Sequence, residues 1–228
     1  MRTRSLTPEI LDTTEVSPET LAAVLADLAR VNVVTRAHAP TLHYLRRLAR
    51  AYPGRRLRVL DIGFGDGDML RRIARWGTRT GIPLDLAGVD LHPGAAPAAR
   101  ARSAGYAITY RTGDVFDRPP GQHDVIISSL FTHHLTDPQI VRFLRWMDAS
   151  AVCGWFINDL HRHILARDGF AVLAAVAGFH PIVQADGRLS VARSFRASDW
   201  HRLLAQAGVR GTVEWHMPFR YCVRSCRP

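Results

Sequence analysis

The sequence predicts an α/β fold in which five parallel strands alternate with helices and a final hairpin completes the sheet. Short apolar runs, typical of buried parallel strands, alternate with patterns that place apolar residues on one face of a helix. A glycine-rich turn follows the first run directly, and the later runs end in acidic or polar residues. Because ligands bind at the carboxyl edge of an open α/β sheet, these residues are candidates for a binding site.

Composition limits the classes of protein to which the chain can belong. Its 228 residues, 47% of them hydrophobic, are enough for one domain with a full core. We expect a cytoplasmic protein, since the chain lacks a run of 18 apolar residues, an apolar signal sequence and a disulfide framework. The net charge of +10 comes from scattered arginines in a chain without lysine, which favours a solvated basic face and disfavours nucleic acid as a partner.

The N-terminal region predicts two helices ahead of the first strand. Residues 1–16 are expected to be poorly ordered. Ser17 and Pro18 are typical of a helix start, and a second helical pattern begins near Thr41. Residues 1–52 are thus predicted to form a helical extension, which either caps a ligand pocket or simply packs on the sheet. The polar residues at the bend between the helices that could reach a ligand are Asn32, Arg36 and His38.

The most informative stretch is the turn of residues 61–68, which lies between a short buried strand and an amphipathic helix. Its glycines at every second position, Gly63, Gly65 and Gly67, allow a sharp turn and bring backbone N–H groups close to a ligand. The phosphate loop of nucleotide hydrolases needs a lysine, which the chain lacks, and Asp68 replaces the third glycine of the dinucleotide fingerprint. The acidic residues of the turn suit a positively charged ligand instead.

The pattern Asp61-x-Gly-x-Gly-x-Gly resembles motif I of the class I S-adenosylmethionine (SAM) methyltransferases. SAM carries a sulfonium and an ammonium group, so its charge suits the acidic turn. The resemblance covers about residues 57–226 and implies a Rossmann-like fold with a seven-stranded, mostly parallel sheet, N-terminal helices and a C-terminal antiparallel hairpin. It implies SAM as the cofactor and S-adenosylhomocysteine (SAH) as the product. Residues 53–228 are the predicted SAM-binding domain.

The second and third strands end in acidic residues that suit the rest of the cofactor. The strand of residues 84–90 ends in Asp90, whose carboxylate can accept hydrogen bonds from both ribose hydroxyls. The strand of residues 108–111 leads to Asp114 and Val115, which the resemblance assigns to the adenine ring. By the same resemblance, the cofactor-binding residues are Asp61, Gly63, Phe64, Gly65, Asp90, Leu91, Asp114, Val115, Ser128, Ser129 and Arg36.

Four histidines lie just beyond the fourth and fifth strands, which are predicted over residues 123–129 and 152–157. A histidine near neutral pH can remove the proton of a phenol or hydroxyl acceptor, so all four are candidate bases, with His134 and His161 favoured. Metal-dependent catechol methyltransferases carry an acid after strand four and an Asp-Asn pair after strand five. This chain carries serines and the reversed pair, so we expect no metal. The four candidates are His133, His134, His161 and His163.

Residues 128–135 and 158–163 resemble segments of bacterial small-molecule methyltransferases that are similar to quinone-biosynthesis enzymes and often act in polyketide-linked metabolism. The resemblance implies a small phenolic, quinone-like or polyketide-derived acceptor and O-methylation, with C-methylation of a similar ring as the alternative. RNA methylation is another alternative, although residues 128–131 lack the proline that many RNA amino-methylating enzymes carry there. A SAM-binding protein without catalysis also stays open, as does the oligomeric state, including a homodimer.

The C-terminal part adds an apolar segment and the final hairpin. Residues 164–192 are longer than a simple crossover needs. They form either a lid or wall over an acceptor pocket, or a core helix with a surface loop at residues 185–188. A further helix is expected to end near Gly208, and the strands of the hairpin are expected at residues 211–217 and 220–223.

Overall fold

The apolar runs of the sequence form the strands of one sheet. The computed structural model describes residues 1–117 and 121–226, and within these residues seven strands pair: β1 (Leu57–Ile62), β2 (Leu84–Asp90), β3 (Ile108–Thr112), β4 (His123–Ser129), β5 (Ala151–Leu160), β6 (Gly211–His216) and β7 (Arg220–Ser225). Their order is β3-β2-β1-β4-β5-β7-β6. Strands β1 to β5 pair in parallel, and β7 runs antiparallel to both β5 and β6. The predicted sheet with its antiparallel C-terminal hairpin is confirmed.

The α-helices of the described residues are α1 (Ile10–Thr13), α2 (Pro18–Val34), α3 (Ala39–Ala51), α4 (Asp68–Thr80), α5 (Ala95–Arg102), α6 (Asp137–Ser150), α7 (Ile164–Val176), α8 (Pro181–Arg193) and α9 (Ala197–Ala207). Local sequence sets several of their ends. The Ser17 hydroxyl accepts a hydrogen bond from the Thr20 N–H at the start of α2, and Gly208, in a left-handed conformation, ends α9. In this part of the chain, none of the helices combines the length and apolarity that crossing a membrane requires.

Two apolar layers hold helices against the two faces of the sheet. On one face Leu45 of α3 and Trp76 of α4 are buried among the side chains of β1, β2 and β3. On the other face Phe143 of α6 and Trp200 of α9 pack with Trp155 of β5. Burying side chains of this size contributes roughly 1.5–3 kcal/mol each, so both layers fix the strands that carry the site. The carboxyl edge of the parallel strands lies between these layers.

A third apolar cluster joins helix α2 to the segment of residues 164–192. Val24 of α2 packs with Ala174 of α7 and with Val183 of α8. The segment is therefore a pair of helices, and the alternative with a surface loop at residues 185–188 is wrong because these residues lie within α8. Hydrogen bonds with the N-terminal segment, which the periodicity of the sequence does not reveal, hold this part of α8 in place.

The expectation that residues 1–16 are poorly ordered is also wrong. The guanidinium of Arg4 lies 2.6 Å from Asp137 Oδ1 and 4.2 Å from the ring centre of Phe195. The carboxylate of Asp186 accepts hydrogen bonds from the backbone N–H groups of Ile10 and Leu11, at 2.8 and 3.2 Å. An ion pair and a helix-capping carboxylate, rather than apolar periodicity, thus fix the N-terminal segment against α6 and α8.

A buried carboxylate at the start of β4 predicts how stability depends on pH. Asp124 is 1% exposed and accepts hydrogen bonds from the backbone N–H and Nε of Arg58, at 3.0 and 2.9 Å, and from Arg55. Burial raises the pKa of Asp124, but these hydrogen bonds outweigh burial and lower it to about 2. Because this pKa lies below the unfolded value of about 3.9, the contribution to stability is complete above that value and is lost as the pH falls toward 2.

We expect Asp124→Asn to lower the free energy of unfolding at pH 7 by about 1 kcal/mol. This figure is smaller than the pKa shift alone would give, because water screens the two arginines, which are 41% and 42% exposed. Urea unfolding at pH 7 and pH 3 measures the effect, and the difference between the two pH values should shrink in the variant. Asp85→Asn, which alters an exposed pair with Arg56, is the matched control and should change little. An unchanged pH difference in the Asp124 variant would contradict the assignment.

Candidate functional site

The glycine turn after β1 brings the backbone close to the carboxyl edge of the sheet. Gly63 and Gly65 have φ angles of 71° and 56°, a region that favours glycine. A Cβ atom on Gly63 would lie 2.6 Å from the ring of Phe131, whereas the side-chain position of Gly65 is open space. The N–H of Gly65 donates to Asp90 Oδ2 at 2.9 Å, which joins the turn to the end of β2. The turn therefore leaves a cradle in which a ligand can contact the backbone.

Asp61, at the end of β1, carries a buried carboxylate oxygen that lacks a protein partner. The residue is 2% exposed, and within the described residues its Oδ1 atom makes no hydrogen bond. Burial, and then the nearby charge of Asp90, raise its pKa well above the ordinary value for an aspartate. Asp61 lines the main cavity of the structure beside Gly63 and Gly65. A cationic group bound there would satisfy this oxygen, as the ammonium of SAM requires.

The residues that the sequence assigned to ribose and adenine line a neighbouring, smaller cavity of about 150 Å³. The Asp90 carboxylate accepts hydrogen bonds from the N–H groups of Gly65 and His92, both at 2.9 Å. Asp114 Oδ1 accepts from the N–H of Phe116 at 2.9 Å. The remaining lining residues from the predicted set are Leu91, which is 64% exposed, Val115 and Gly63. Since Gly63 lines both cavities, they adjoin at the glycine turn.

The main cavity has a volume of about 510 Å³ and is largely apolar. It lies at the carboxyl edge, between the glycine turn, helix α2 and the helix pair α7 and α8. Apolar side chains that line it include Leu25, Leu28, Leu130, Phe170, Leu173 and Phe219. Its volume falls in the range of small-molecule sites, about 300–1,000 Å³, and its lining suits a ligand with an apolar body.

At the polar end of this cavity, Asp159 holds His133. The strand β5 continues to Leu160, past the predicted end at residue 157, so Asp159 is a buried residue of the strand. His133 Nδ1 lies 2.7 Å from Asp159 Oδ1, and Asp159 Oδ2 accepts hydrogen bonds from the His133 N–H and the Thr132 hydroxyl. Burial raises the pKa of Asp159, but His133 and these hydrogen bonds outweigh burial and lower it to about 2. An ionised Asp159 therefore orients the His133 ring.

Two acidic residues from the N-terminal segment complete this polar group. Glu9 is 6% exposed; its carboxylate oxygens lie 3.6 Å from His133 Nε2 and 4.0 Å from His134 Nε2. His134 Nδ1 lies 3.1 Å from Asp12 Oδ1. Burial raises the pKa of Glu9 and also that of Asp12, but contacts with His134 outweigh burial at Asp12 and lower its pKa to about 2. We name Glu9, Asp12, His133, His134 and Asp159 the polar cluster. Neither Glu9 nor Asp12 belongs to a local motif, so the sequence alone does not indicate them as site residues.

The other two candidate histidines lie outside this cavity. His161 accepts a hydrogen bond from Trp215 Nε1 at 3.3 Å, and burial, then the nearby His163, lower its pKa. His163 caps α7 by accepting a hydrogen bond from the N–H of Leu165 at 3.2 Å. Neither belongs to the residues that line the cavity in the described part of the chain. The structure thus brings His133 and His134 to the cavity and leaves the other pair near the C-terminal hairpin.

Of the remaining predicted residues, some line the main cavity and others do not. Arg36 is exposed, with a φ angle of 51°, and lines neither cavity described here, while its neighbour His38 lines the main one. His38 Nε2 lies 2.6 Å from Asp68 Oδ2 beside the glycine turn. Ser129 and Phe64 line the main cavity, whereas the buried Ser128 donates to the Ile62 carbonyl at 3.1 Å.

A buried arginine that the sequence analysis did not single out also lines the main cavity. Arg220, at the start of β7, is 2% exposed and donates one hydrogen bond, to Thr35 Oγ1 at 3.1 Å. Within the described residues its Nε and Nη1 atoms have no partner. Burial lowers the pKa of Arg220 to about 10, although it stays protonated at neutral pH. In the sequence Arg220 is one of many arginines and lies at the start of a strand, so no pattern indicates it as a site residue.

Comparison with known proteins identifies a protein family that part of this chain resembles. Residues 59–151 match the model of a protein family described as "Methyltransferase domain". The matched segment contains the glycine turn, the acidic residues after β2 and β3, and the loop that carries His133 and His134. The sequence matches no curated protein.

Solved methyltransferase structures share the fold at low sequence identity. The plantazolicin methyltransferase BpumL, in complex with a monoazolic desmethylPZN analog and SAH, has 14% identity and a TM-score of 0.63, over 90% of this chain and 92% of that chain. Magnesium protoporphyrin IX methyltransferase from Synechocystis PCC 6803, with bound SAH, has 16% identity and a TM-score of 0.55, over 84% of each chain. The CMeT domain of the citrinin polyketide synthase has 16% identity and a TM-score of 0.56; 75% of this chain aligns with 46% of that one. The predicted Rossmann-like methyltransferase fold is confirmed.

Proposed function

Because the protein is a methyltransferase with the Rossmann-like fold of the SAM-dependent class, we propose that it methylates a hydroxyl group of a small, largely apolar acceptor. The acceptor we favour is a phenolic, quinone-like or polyketide-derived metabolite. The observation that carries this proposal is the apolar cavity of about 510 Å³, which meets the glycine turn on one side and His133, oriented by Asp159, on another.

The chain offers a partner for each part of the cofactor. SAM supplies a methyl group on a positively charged sulfur, so the acceptor atom needs a lone pair in line with that bond. The unpartnered oxygen of Asp61 suits the ammonium group, and the open cradle at Gly65 admits the chain of the methionine part. Asp90 would accept from the ribose hydroxyls, and Asp114 with Val115 would hold the adenine ring in the smaller cavity.

His133 is the residue we propose for removal of the acceptor proton. Asp159 keeps the proton on Nδ1, so the lone pair of Nε2 is free to accept a proton on the side that faces Glu9 and the cavity. His134 is the second candidate, since its Nδ1 is held by Asp12 in the same manner. A positioned base contributes about 10²–10⁴-fold to such a reaction.

We further propose that residues 1–52 and the helices α7 and α8 form a cap over the acceptor. Leu25 and Leu28 of α2 and Phe170 and Leu173 of α7 line the same cavity. They would exclude water and hold the acceptor oxygen in line with the methyl group. Such positioning can supply roughly 7–11 kcal/mol of barrier lowering. The buried guanidinium of Arg220 would favour an acceptor with a carbonyl or ionised oxygen at that end of the cavity.

C-methylation of a similar ring is the second candidate. It is favoured by the shared fold of the CMeT domain of the citrinin polyketide synthase. Both reactions need the same cavity, and they differ in which atom of the ring points toward the methyl group.

Incubation with methyl-labelled SAM and a panel of phenols and quinols tests the proposal. We expect label in the organic-extractable product, and NMR of that product distinguishes a methoxy group from a ring methyl group. The Asp90→Ala variant, which should bind SAM poorly, is the control for enzyme-dependent transfer. Transfer of label to RNA from a cell extract, with none to small molecules, would contradict the proposed acceptor class.

A further inference from the structure

Two imidazoles and a carboxylate converge at the polar end of the main cavity in a way that suits a metal ion. One possible ligand atom from each of Glu9, His133 and His134 lies within 4.8 Å of the other two. His133 Nε2 lies 3.6 Å from Glu9 Oε1, and His134 Nε2 lies 4.0 Å from Glu9 Oε2. Two histidines and one carboxylate are also the ligand set of catalytic zinc in several hydrolases and of non-haem iron sites.

The hydrogen-bond partners of these three residues are arranged as the partners of metal ligands commonly are in proteins. His133 Nδ1 lies 2.7 Å from Asp159, and His134 Nδ1 lies 3.1 Å from Asp12. Imidazoles that bind metals commonly donate the N–H of their other nitrogen to a carboxylate, which fixes the tautomer and directs the free lone pair to the ion. The hydroxyl of Ser190 donates to Glu9 Oε1 at 2.7 Å, so the carboxylate is oriented as well.

We propose that Glu9, His133 and His134 bind a divalent first-row metal ion such as Zn²⁺, with an open coordination position toward the cavity. Ligand bonds of about 2.0–2.2 Å place tetrahedral ligands about 3.3–3.6 Å apart. The pair of His133 and Glu9 already has this separation, whereas His134 Nε2 and Glu9 Oε2 are 4.0 Å apart and would have to approach by a few tenths of an ångström. The expectation of no metal considered only strands four and five, whereas Glu9 comes from the N-terminal segment.

The proposed ion has a consequence for the reaction, and only this step rests on the proposed function. An acceptor oxygen in the open position would lose its proton more readily, because the bound cation lowers the pKa of its hydroxyl. With the ion bound, both Nε2 atoms are ligands and cannot take the proton, which would pass to solvent beside the 30%-exposed His134 side chain; the ion would thus take the place of His133 in ionising the acceptor. An oxygen held in this way favours O-methylation over C-methylation.

Titration of the tag-free protein with Zn²⁺ after chelator treatment tests the site without turnover. Calorimetry is expected to give one equivalent of bound Zn²⁺, and Co²⁺ is expected to give the visible absorption of a four- or five-coordinate site. Glu9→Gln and His134→Gln should each weaken binding at least tenfold. His201→Gln, which changes an exposed histidine of α9, is the matched control and should bind Zn²⁺ as the unmodified protein does.

Two outcomes would overturn the site. One is the absence of Zn²⁺ binding to a protein whose circular dichroism and SAH binding are normal. The other is Zn²⁺ binding that Glu9→Gln and His134→Gln leave unchanged, which would place the ion elsewhere on the surface. Turnover is measured separately: if Zn²⁺ binds as expected but chelation leaves methyl transfer intact, the site stands and its role in the reaction is wrong. Failure to methylate any phenol with the ion bound would count against the proposed function alone.

Discussion

Replacing His133 with alanine is expected to lower kcat on a phenolic acceptor by about 10²–10⁴-fold while the affinity for SAM and SAH stays unchanged. The side chain is 4% exposed, lines the main cavity and is held by Asp159 at 2.7 Å. In the metal-free protein its removal takes away the group that receives the acceptor proton; with the proposed metal ion bound, it would instead take away a ligand of that ion. Single-turnover methyl transfer measures the rate, and calorimetry with SAH measures cofactor affinity.

Two further variants separate a catalytic role from a structural one. Asp159→Asn keeps the size of the side chain but removes the charge that orients His133, so kcat should fall while SAH affinity is retained. His161→Ala is the matched control, since this histidine lies against Trp215 outside the cavity, and it should retain kcat. Acceptors whose hydroxyl is already ionised at the assay pH should suffer less from His133→Ala than neutral phenols do. Full turnover of a neutral phenol by the His133 variant would contradict the proposed role.

The fold was predictable from sequence because its determinants are local. Each parallel strand is a short apolar run, and each helix has an apolar face, a cap or a glycine end within a few residues. The exceptions have polar contacts as their cause. Strand β5 extends beyond its apolar run through Asn158 and Asp159. These buried polar side chains are satisfied by Ala37 and His133, which are distant in the sequence, so the apolar pattern does not predict the extension. In the same way, Asp186 lies within α8, where one of the two alternatives from the sequence placed a surface loop, and its carboxylate accepts hydrogen bonds from the distant Ile10 and Leu11.

The two halves of the candidate site differ in how far the sequence could predict them. The side that faces the cofactor is built from a turn and from the ends of consecutive strands, so a motif of seven residues and a few strand-end acids indicate it. The polar cluster depends on contacts between distant parts of the chain, such as Asp12 with His134, which are 122 residues apart. The buried arginine of the cavity, Arg220, meets Thr35 over 185 residues. Without the fold, neither Glu9 nor Arg220 differs from an ordinary surface charge.

Replacing Asp90 with alanine is expected to weaken the binding of SAM and SAH by at least tenfold without unfolding the protein. Hydrogen bonds to an ionised partner contribute about 1.5–3 kcal/mol each, which corresponds to roughly 10- to 150-fold in affinity for one bond. Both carboxylate oxygens of Asp90 already accept a backbone N–H, from Gly65 and His92, and each keeps a lone pair for a ribose hydroxyl. The substitution therefore removes ribose contacts and also the link that holds the glycine turn against β2.

Calorimetry with SAH measures this loss of affinity, and two comparison variants test whether it comes from the Asp90 carboxylate. Asp85→Ala changes an exposed acid at the other end of the same strand, so it should leave SAH affinity unchanged. Asp90→Asn retains one acceptor oxygen and should lie between alanine and the unmodified protein. If Asp90→Ala binds SAH as tightly as Asp85→Ala does, the ribose lies elsewhere and the smaller cavity is not the nucleoside site.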